Sequence, residues 1–79
     1  MDKKVYIAVK SGRMDHSIMF ADFEKLVVDL GFALRRKKGS HRIFKHAELK
    51  ESMNIQPDGK MAKSYQVEQL RDIIIEHGL

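Results

Sequence analysis

The sequence predicts an α+β domain, ordered α-β-β-β-α, in which one antiparallel sheet covers two helices as a two-layer sandwich. Three observations carry that prediction. Two stretches, near residues 18–30 and 64–77, place apolar residues at helical spacing. Between them lie three short runs that alternate in strand fashion and are separated by turn residues. The chain has 79 residues, enough for one core and too few for a second.

The first segment leaves two readings open. Val5, Ile7 and Val9 alternate as in a strand, whereas Val5, Ala8 and Val9 share a helical face; the helix is the favoured of the two. Ser11-Gly12-Arg13 marks a break. From Ile18 to Leu30, Phe23, Leu26, Val27 and Leu30 follow the i, i+3, i+4, i+7 pattern. Gly31 then stands where a left-handed cap is needed, and Phe32 where it can pack back on the last turn. Phe32–Arg36 reads as a strand, Lys37-Lys38-Gly39 as a turn and Ser40–Lys45 as the return strand, giving a basic hairpin. After a loop at His46–Leu49, Met53 and Ile55 alternate with Asn54 and Gln56 until Pro57-Asp58-Gly59 ends the third strand. The last helix spans about Ser64–His77, with Ser64 as its expected N-cap, Val67, Leu70, Ile73 and Ile74 on one face and Gly78 beyond it.

Hydrophobic residues make up 43% of the chain and charged residues 33%, with a single proline, the balance of a folding domain and not of a disordered one. Cysteine is absent, so disulfides, thiolate metal sites and cysteine nucleophiles are excluded, and a reducing cytoplasm is the expected location. The apolar patch Val5–Val9 is shorter than a signal-peptide core, and Ile73-Ile74-Ile75 falls far below the roughly 20 apolar residues of a membrane span. No membrane partner is therefore expected.

The net charge of +4 is unevenly spread. Between Arg35 and Lys50 seven cations stand against one anion, Glu48, so this segment carries +6 and the remainder −2. A solvated hairpin could carry such a patch, but so could a surface for phosphate, and the histidine inside it favours the second. His41 follows Gly39-Ser40 and is flanked by Lys37, Lys38 and Arg42. The glycine permits a tight turn, so a phosphate can approach both the backbone amides and the imidazole. An imidazole in that position can take a proton from a ribose 2′-hydroxyl or give one to a leaving 5′-oxygen, while the cations stabilise charge on the phosphate. A plain surface histidine at a hairpin start has the same spacing, and on spacing alone it is the favoured reading.

The other histidines fit less well: His16 lies in a loop, His46 at the far end of the hairpin, and His77 at a helix C-terminus, where a cation suits the dipole. No cofactor or metal motif is present. Lys60 and Lys63 precede the last helix, whose free amides suit a phosphate, but solvated loop lysines fit equally well; Asn54 and Gln56, on one side of the third strand, could hydrogen-bond RNA or face water, and Tyr65 and Gln66 could stack on and hydrogen-bond to RNA or cover the core edge.

Read together, Leu30-Gly31-Phe32, Arg35 or Arg36, Gly39-Ser40-His41-Arg42-Ile43-Phe44, Asn54-Ile55-Gln56-Pro57 and the run from Ala62 to Leu70 closely resemble the HicA (YcfA-like) mRNA interferase toxins. The resemblance covers residues 18–79 as a RNA-binding and ribonuclease domain and leaves 1–17 as an N-terminal extension. It implies a fold like a double-stranded RNA-binding domain and metal-independent cleavage of mRNA, with His41 as the catalytic residue. On this reading Lys37, Lys38, Gly39, Ser40, Arg42 and Lys63 bind RNA, and the protein partner is a HicB-type antitoxin. Two departures from the family pattern are Arg42, where a second histidine is frequent, and Ser64, where proline is. The competing readings are a non-catalytic double-stranded RNA-binding module and a protein-interaction domain.

Overall fold

Asp2 starts the first helix, α1 (Lys3–Ser11), by accepting hydrogen bonds from the Lys4 and Val5 amides at 2.9 and 3.4 Å. The favoured helical reading of this segment is therefore the one realised in the computed structural model, which describes residues 1–79. Gly12 ends α1 in the left-handed conformation, φ 74°. Val9 is wholly buried in the core, and the α1 face around it packs against the two later helices. Two polar ties hold it there. The Tyr6 hydroxyl donates to the main-chain oxygen of Leu79 at 2.6 Å, and the Arg71 guanidinium donates to the Val9 carbonyl at 3.1 Å and to the Asp15 carboxylate at 2.9 Å. The hydrogen bond to Asp15 holds the Arg71 pKa above its ordinary value, against the opposing effect of desolvation.

Helix α2 (Phe20–Asp29) buries Phe20, Phe23, Leu26 and Val27. No side chain caps its start; the Phe20 amide instead donates to the Lys60 carbonyl at 2.8 Å. Its end is the expected Schellman turn: Phe32 N–H bonds to the Val27 carbonyl and Gly31 N–H to that of Val28, with Gly31 at φ 104°. Helix α3 (Ser64–His77) buries Gln66, Val67, Leu70, Ile73 and Ile74. Its N-cap is Lys63 and not Ser64: the first turn hydrogen-bonds to the Lys63 carbonyl, so Ser64 already lies inside the helix.

The sheet has the order β1 (Ala33–Lys38), β2 (His41–His46), β3 (Glu51–Ile55), antiparallel throughout, so the predicted α+β architecture is the observed one. The first turn is shifted from the expected Lys37-Lys38-Gly39. Strand β1 continues through Lys38, which pairs with His41, and the turn is the two residues Gly39-Ser40, with positive φ at the glycine as Gly-X hairpins prefer. Phe44, Met53 and Ile55 point inward to the helices and are buried. A second, minimal hairpin, β4 (Pro57–Asp58) and β5 (Met61–Ala62), follows β3 and bridges to Met19 at the start of α2. No helix is long and apolar enough to cross a membrane.

Candidate nucleic-acid interface

Strand alternation decides which charges share a face with His41. In β2, Phe44 is buried against the helices, so Arg42 lies on that inner side while His41, Ile43 and Lys45 lie on the outer side. The outer side is solvent-facing: every one of its residues is exposed except the half-buried Ile43. In β1 the pairing slips between Leu34, opposite Phe44, and Arg36, opposite Ile43, leaving Arg35 as a bulged residue. The bulge turns Arg36 outward beside Ile43, where unbroken alternation from Leu34 would have sent it inward. Lys38, opposite His41, is outward as well.

Six of these neighbours line a hollow of about 790 Å³ with His41: Arg36, Lys38, Gly39, Ser40, Ile43 and Asn54. His41 Nδ1 lies 3.4 Å from Asn54 Oδ1, a long hydrogen bond that, when Nδ1 carries the proton, leaves the Nε2 lone pair directed elsewhere. Around Ser40 a chain of side-chain bonds fixes the turn: Lys63 Nζ donates to Gln56 Oε1 at 3.1 Å, and Gln56 Nε2 donates to Ser40 Oγ at 3.0 Å. Beneath it, the buried Gln66 amide accepts from the Gln56 N–H and donates to the Asn54 carbonyl, both at 3.1 Å, so the end of β3 is stitched to the first turn of α3. A second hollow of about 260 Å³, containing Gln56, Tyr65, Gln66 and Gln69, adjoins the first and shares His41 and Asn54 with it.

The structure thus brings Lys38, Gly39, Ser40 and, through Gln56, Lys63 to the His41 neighbourhood. Lys37 and Arg42 are cross-strand partners on the opposite face, beside Glu24, Val28 and Leu34. Arg42 is engaged there: it pairs with Glu24 at 3.2 Å and its guanidinium lies over the Phe20 ring at 4.9 Å. Arg36 is the residue of this hollow that the sequence does not single out as a ligand for RNA, whereas Asn54, with Gln56, is expected as a hydrogen-bonding residue of the third strand. Asn54 was legible by alternation from Met53 and Ile55, whereas Arg36 needed the bulge.

The remaining histidines are in structural settings. His46 stands edge-on to Phe32, accepts the Leu49 N–H at Nδ1 (3.3 Å), and presses so close to Gly31 that a Cβ there would lie 2.6 Å from Nε2. His77 hydrogen-bonds Glu51 at 2.8 Å, tying the end of α3 to the start of β3, with Glu76 nearby. His16 is exposed in the turn between α1 and α2.

The family model described as HicA toxin of bacterial toxin-antitoxin matches residues 20–79, which takes in α2, the sheet, the small hairpin and α3. The chain belongs to the HicA toxin family. No curated protein and no solved structure matches it. As a HicA toxin the chain is the toxin member of a toxin–antitoxin system, and its protein partner is an antitoxin. In this HicA member α1 precedes the matched region, yet it contributes Val9 to the common core.

Proposed function

We propose that this chain is an endoribonuclease that cleaves mRNA, with His41 as its single catalytic histidine and with proton transfer doing the work that a metal does elsewhere. The observation that carries the reading is an exposed imidazole in one hollow with Arg36 and Lys38, on a sheet face that nothing covers. RNA offers its own nucleophile. Attack of the 2′-oxygen on the adjacent phosphorus forms one P–O bond and breaks the bond to the 5′-oxygen, leaving a 2′,3′-cyclic phosphate and a 5′-hydroxyl. The 2′-oxygen must lose a proton and the 5′-oxygen must gain one; an imidazole at His41 can carry either transfer, worth about 10²- to 10⁴-fold in rate.

Arg36 and Lys38 stabilise the charge that grows on the phosphate, and the Gly39-Ser40 turn lets it approach the backbone. Lys45 and Arg35, further along the outer face, extend the cationic track for the strand on one side of the scissile bond. Lys63 acts through Gln56 on the turn. Arg42, already neutralised by Glu24, belongs to the fold more than to the substrate. A HicB-type antitoxin that covered the outer face would silence the enzyme, and the cytoplasm is where its mRNA substrate is found.

The test is cleavage of single-stranded mRNA by the purified chain in the presence of a chelator, with His41→Ala alongside. The expected result is chelator-insensitive cleavage that falls about 10²-fold or more in the variant. Equal cleavage by both proteins overturns the assignment. Binding of duplex RNA without cleavage of any strand would instead establish the non-catalytic double-stranded RNA-binding module.

A further inference from the structure

The two hollows that meet at His41 differ in chemistry. The larger is basic, with Arg36 and Lys38. The smaller contains no fixed charge: beyond His41 it is lined by amides and one phenol. A strand whose phosphate sits in the basic hollow must put the attached base somewhere close by, and the neutral hollow is contiguous with it through His41 and Asn54.

We propose that the neutral hollow is a nucleobase subsite, in which Tyr65 stacks on one unpaired base next to the scissile phosphate and Gln69 reads its hydrogen-bonding edge. This rests on the RNA-cleaving reading of His41 for the identity of the strand. Tyr65 is 61% exposed and so does not seal the core, although it stands on the first turn of α3 above the fully buried Val67. Its hydroxyl is held by Gln66 Nε2 at 3.2 Å, which fixes the ring at the lip of the hollow while leaving its face open. Gln69 lies four residues on, hence on the same helical face, is exposed, and lines the same hollow.

The three other amides around the hollow are committed elsewhere. Gln66 bonds to the backbone of β3, Gln56 to Ser40 and Lys63, and Asn54 to His41. Gln69 is therefore the amide with both its donor and its acceptor free for a base edge. An open aromatic face, a free amide one turn away and an adjoining cationic hollow are the components with which proteins take hold of a single-stranded base. A duplex, whose bases are already stacked and paired, cannot use them.

The test measures binding to the whole chain of short single-stranded RNA oligonucleotides carrying 2′-fluoro sugars, which lack the nucleophile and so remain intact. The four homopolymers are compared with the same strands carrying one abasic position. Expected are unequal affinities among the homopolymers, a loss of roughly fivefold to a hundredfold with Tyr65→Ala, and little change with Tyr65→Phe. Gln69→Ala should level the differences between homopolymers, and an abasic position should cost the parent more than it costs Tyr65→Ala.

If Tyr65→Ala and Gln69→Ala bind every strand as the parent does, the subsite does not exist, whatever the cleavage assay shows. That outcome also covers the case in which the hollow serves only the antitoxin. Conversely, base-dependent binding lost with Tyr65→Ala in a protein that cleaves no RNA would retain the subsite and remove the enzyme.

Discussion

Replacing Gln66 with methionine keeps side-chain volume and helix propensity while deleting both ends of the amide that joins β3 to α3. The Gln56 N–H and the Asn54 carbonyl each lose a partner at 3.1 Å. A buried polar group left unsatisfied costs about 1–3 kcal/mol. Both groups lie at the half-buried end of a strand, where water can replace part of the loss, so the low end of that range, about 1–1.5 kcal/mol each, applies and the pair should cost about 2–3 kcal/mol. For a domain of this size the whole stability is about 4–12 kcal/mol, so the change is a large fraction of it. It should lower Tm by roughly 10–20 °C. The assay is urea denaturation with a thermal scan on the same samples. A loss below about 1 kcal/mol would refute the reasoning, because it would mean that these backbone groups are satisfied without Gln66. Gln66→Glu separates the two ends: it retains an acceptor for the Gln56 amide but sets a carboxylate oxygen against the Asn54 carbonyl, and should be no better than methionine.

Arg36→Ala should weaken RNA binding and flatten its salt dependence by about 0.7 in log–log slope, as loss of one phosphate contact to a single strand does, measured by titration across salt concentrations. Arg42→Ala should leave that slope unchanged and cost about 0.5–1 kcal/mol of stability, since it breaks a partly exposed pair with Glu24 and a contact with Phe20. Arg71→Ala strips the partners from the Asp15 carboxylate and the Val9 carbonyl; with the side chains 17% exposed, about 1–3 kcal/mol is expected, together with faster amide exchange in α1 than in α3. Gly31→Ala combines a forbidden φ of 104° with a Cβ only 2.6 Å from His46 Nε2 and should cost upwards of about 2 kcal/mol; adding His46→Ala should relieve the clash but not the backbone term, which a double-mutant cycle would resolve.

The elements that could be read from the sequence are those whose local signals agree with their packing. Helices α2 and α3 announce themselves because Phe23, Leu26 and Val27, and Val67, Leu70, Ile73 and Ile74, repeat at the helical period and all reach the core. The Gly31-Phe32 cap was legible for the same reason, since a glycine and a following apolar residue are what the Schellman turn requires. Where two periods fitted, as at Val5–Val9, the decision fell to tertiary contacts that no local window contains: the burial of Val9 and the grip of Arg71 on its carbonyl. Ser64 was an attractive N-cap by residue type, but the helix begins one residue earlier because the Lys63 carbonyl is already taken by the first turn. The two-residue strands at Pro57 and Met61 are too short to leave a periodic trace.

The candidate site shows a different limit. A count of charges along residues 35–50 treats the hairpin as one basic object, but a strand has two faces, and here they do different things. Lys37 and Arg42 go to the side that meets α2, where an acidic residue and an aromatic ring receive Arg42. Arg36 and Lys38 go to the side of His41. Alternation separates them, and a single bulged residue, Arg35, sets which ones point which way by resetting the alternation partway along β1. Without it, alternation from Leu34 would turn Arg35 and Lys37 outward and send both Arg36 and Lys38 toward the helices. The one-residue slip therefore chooses which cations share the face of His41, and deleting Arg35, which leaves Arg36 opposite Ile43 and Lys38 opposite His41 in a regular ladder, should keep most of the RNA affinity in the same salt titration; a loss as large as that of Arg36→Ala would show that the bulge itself is needed.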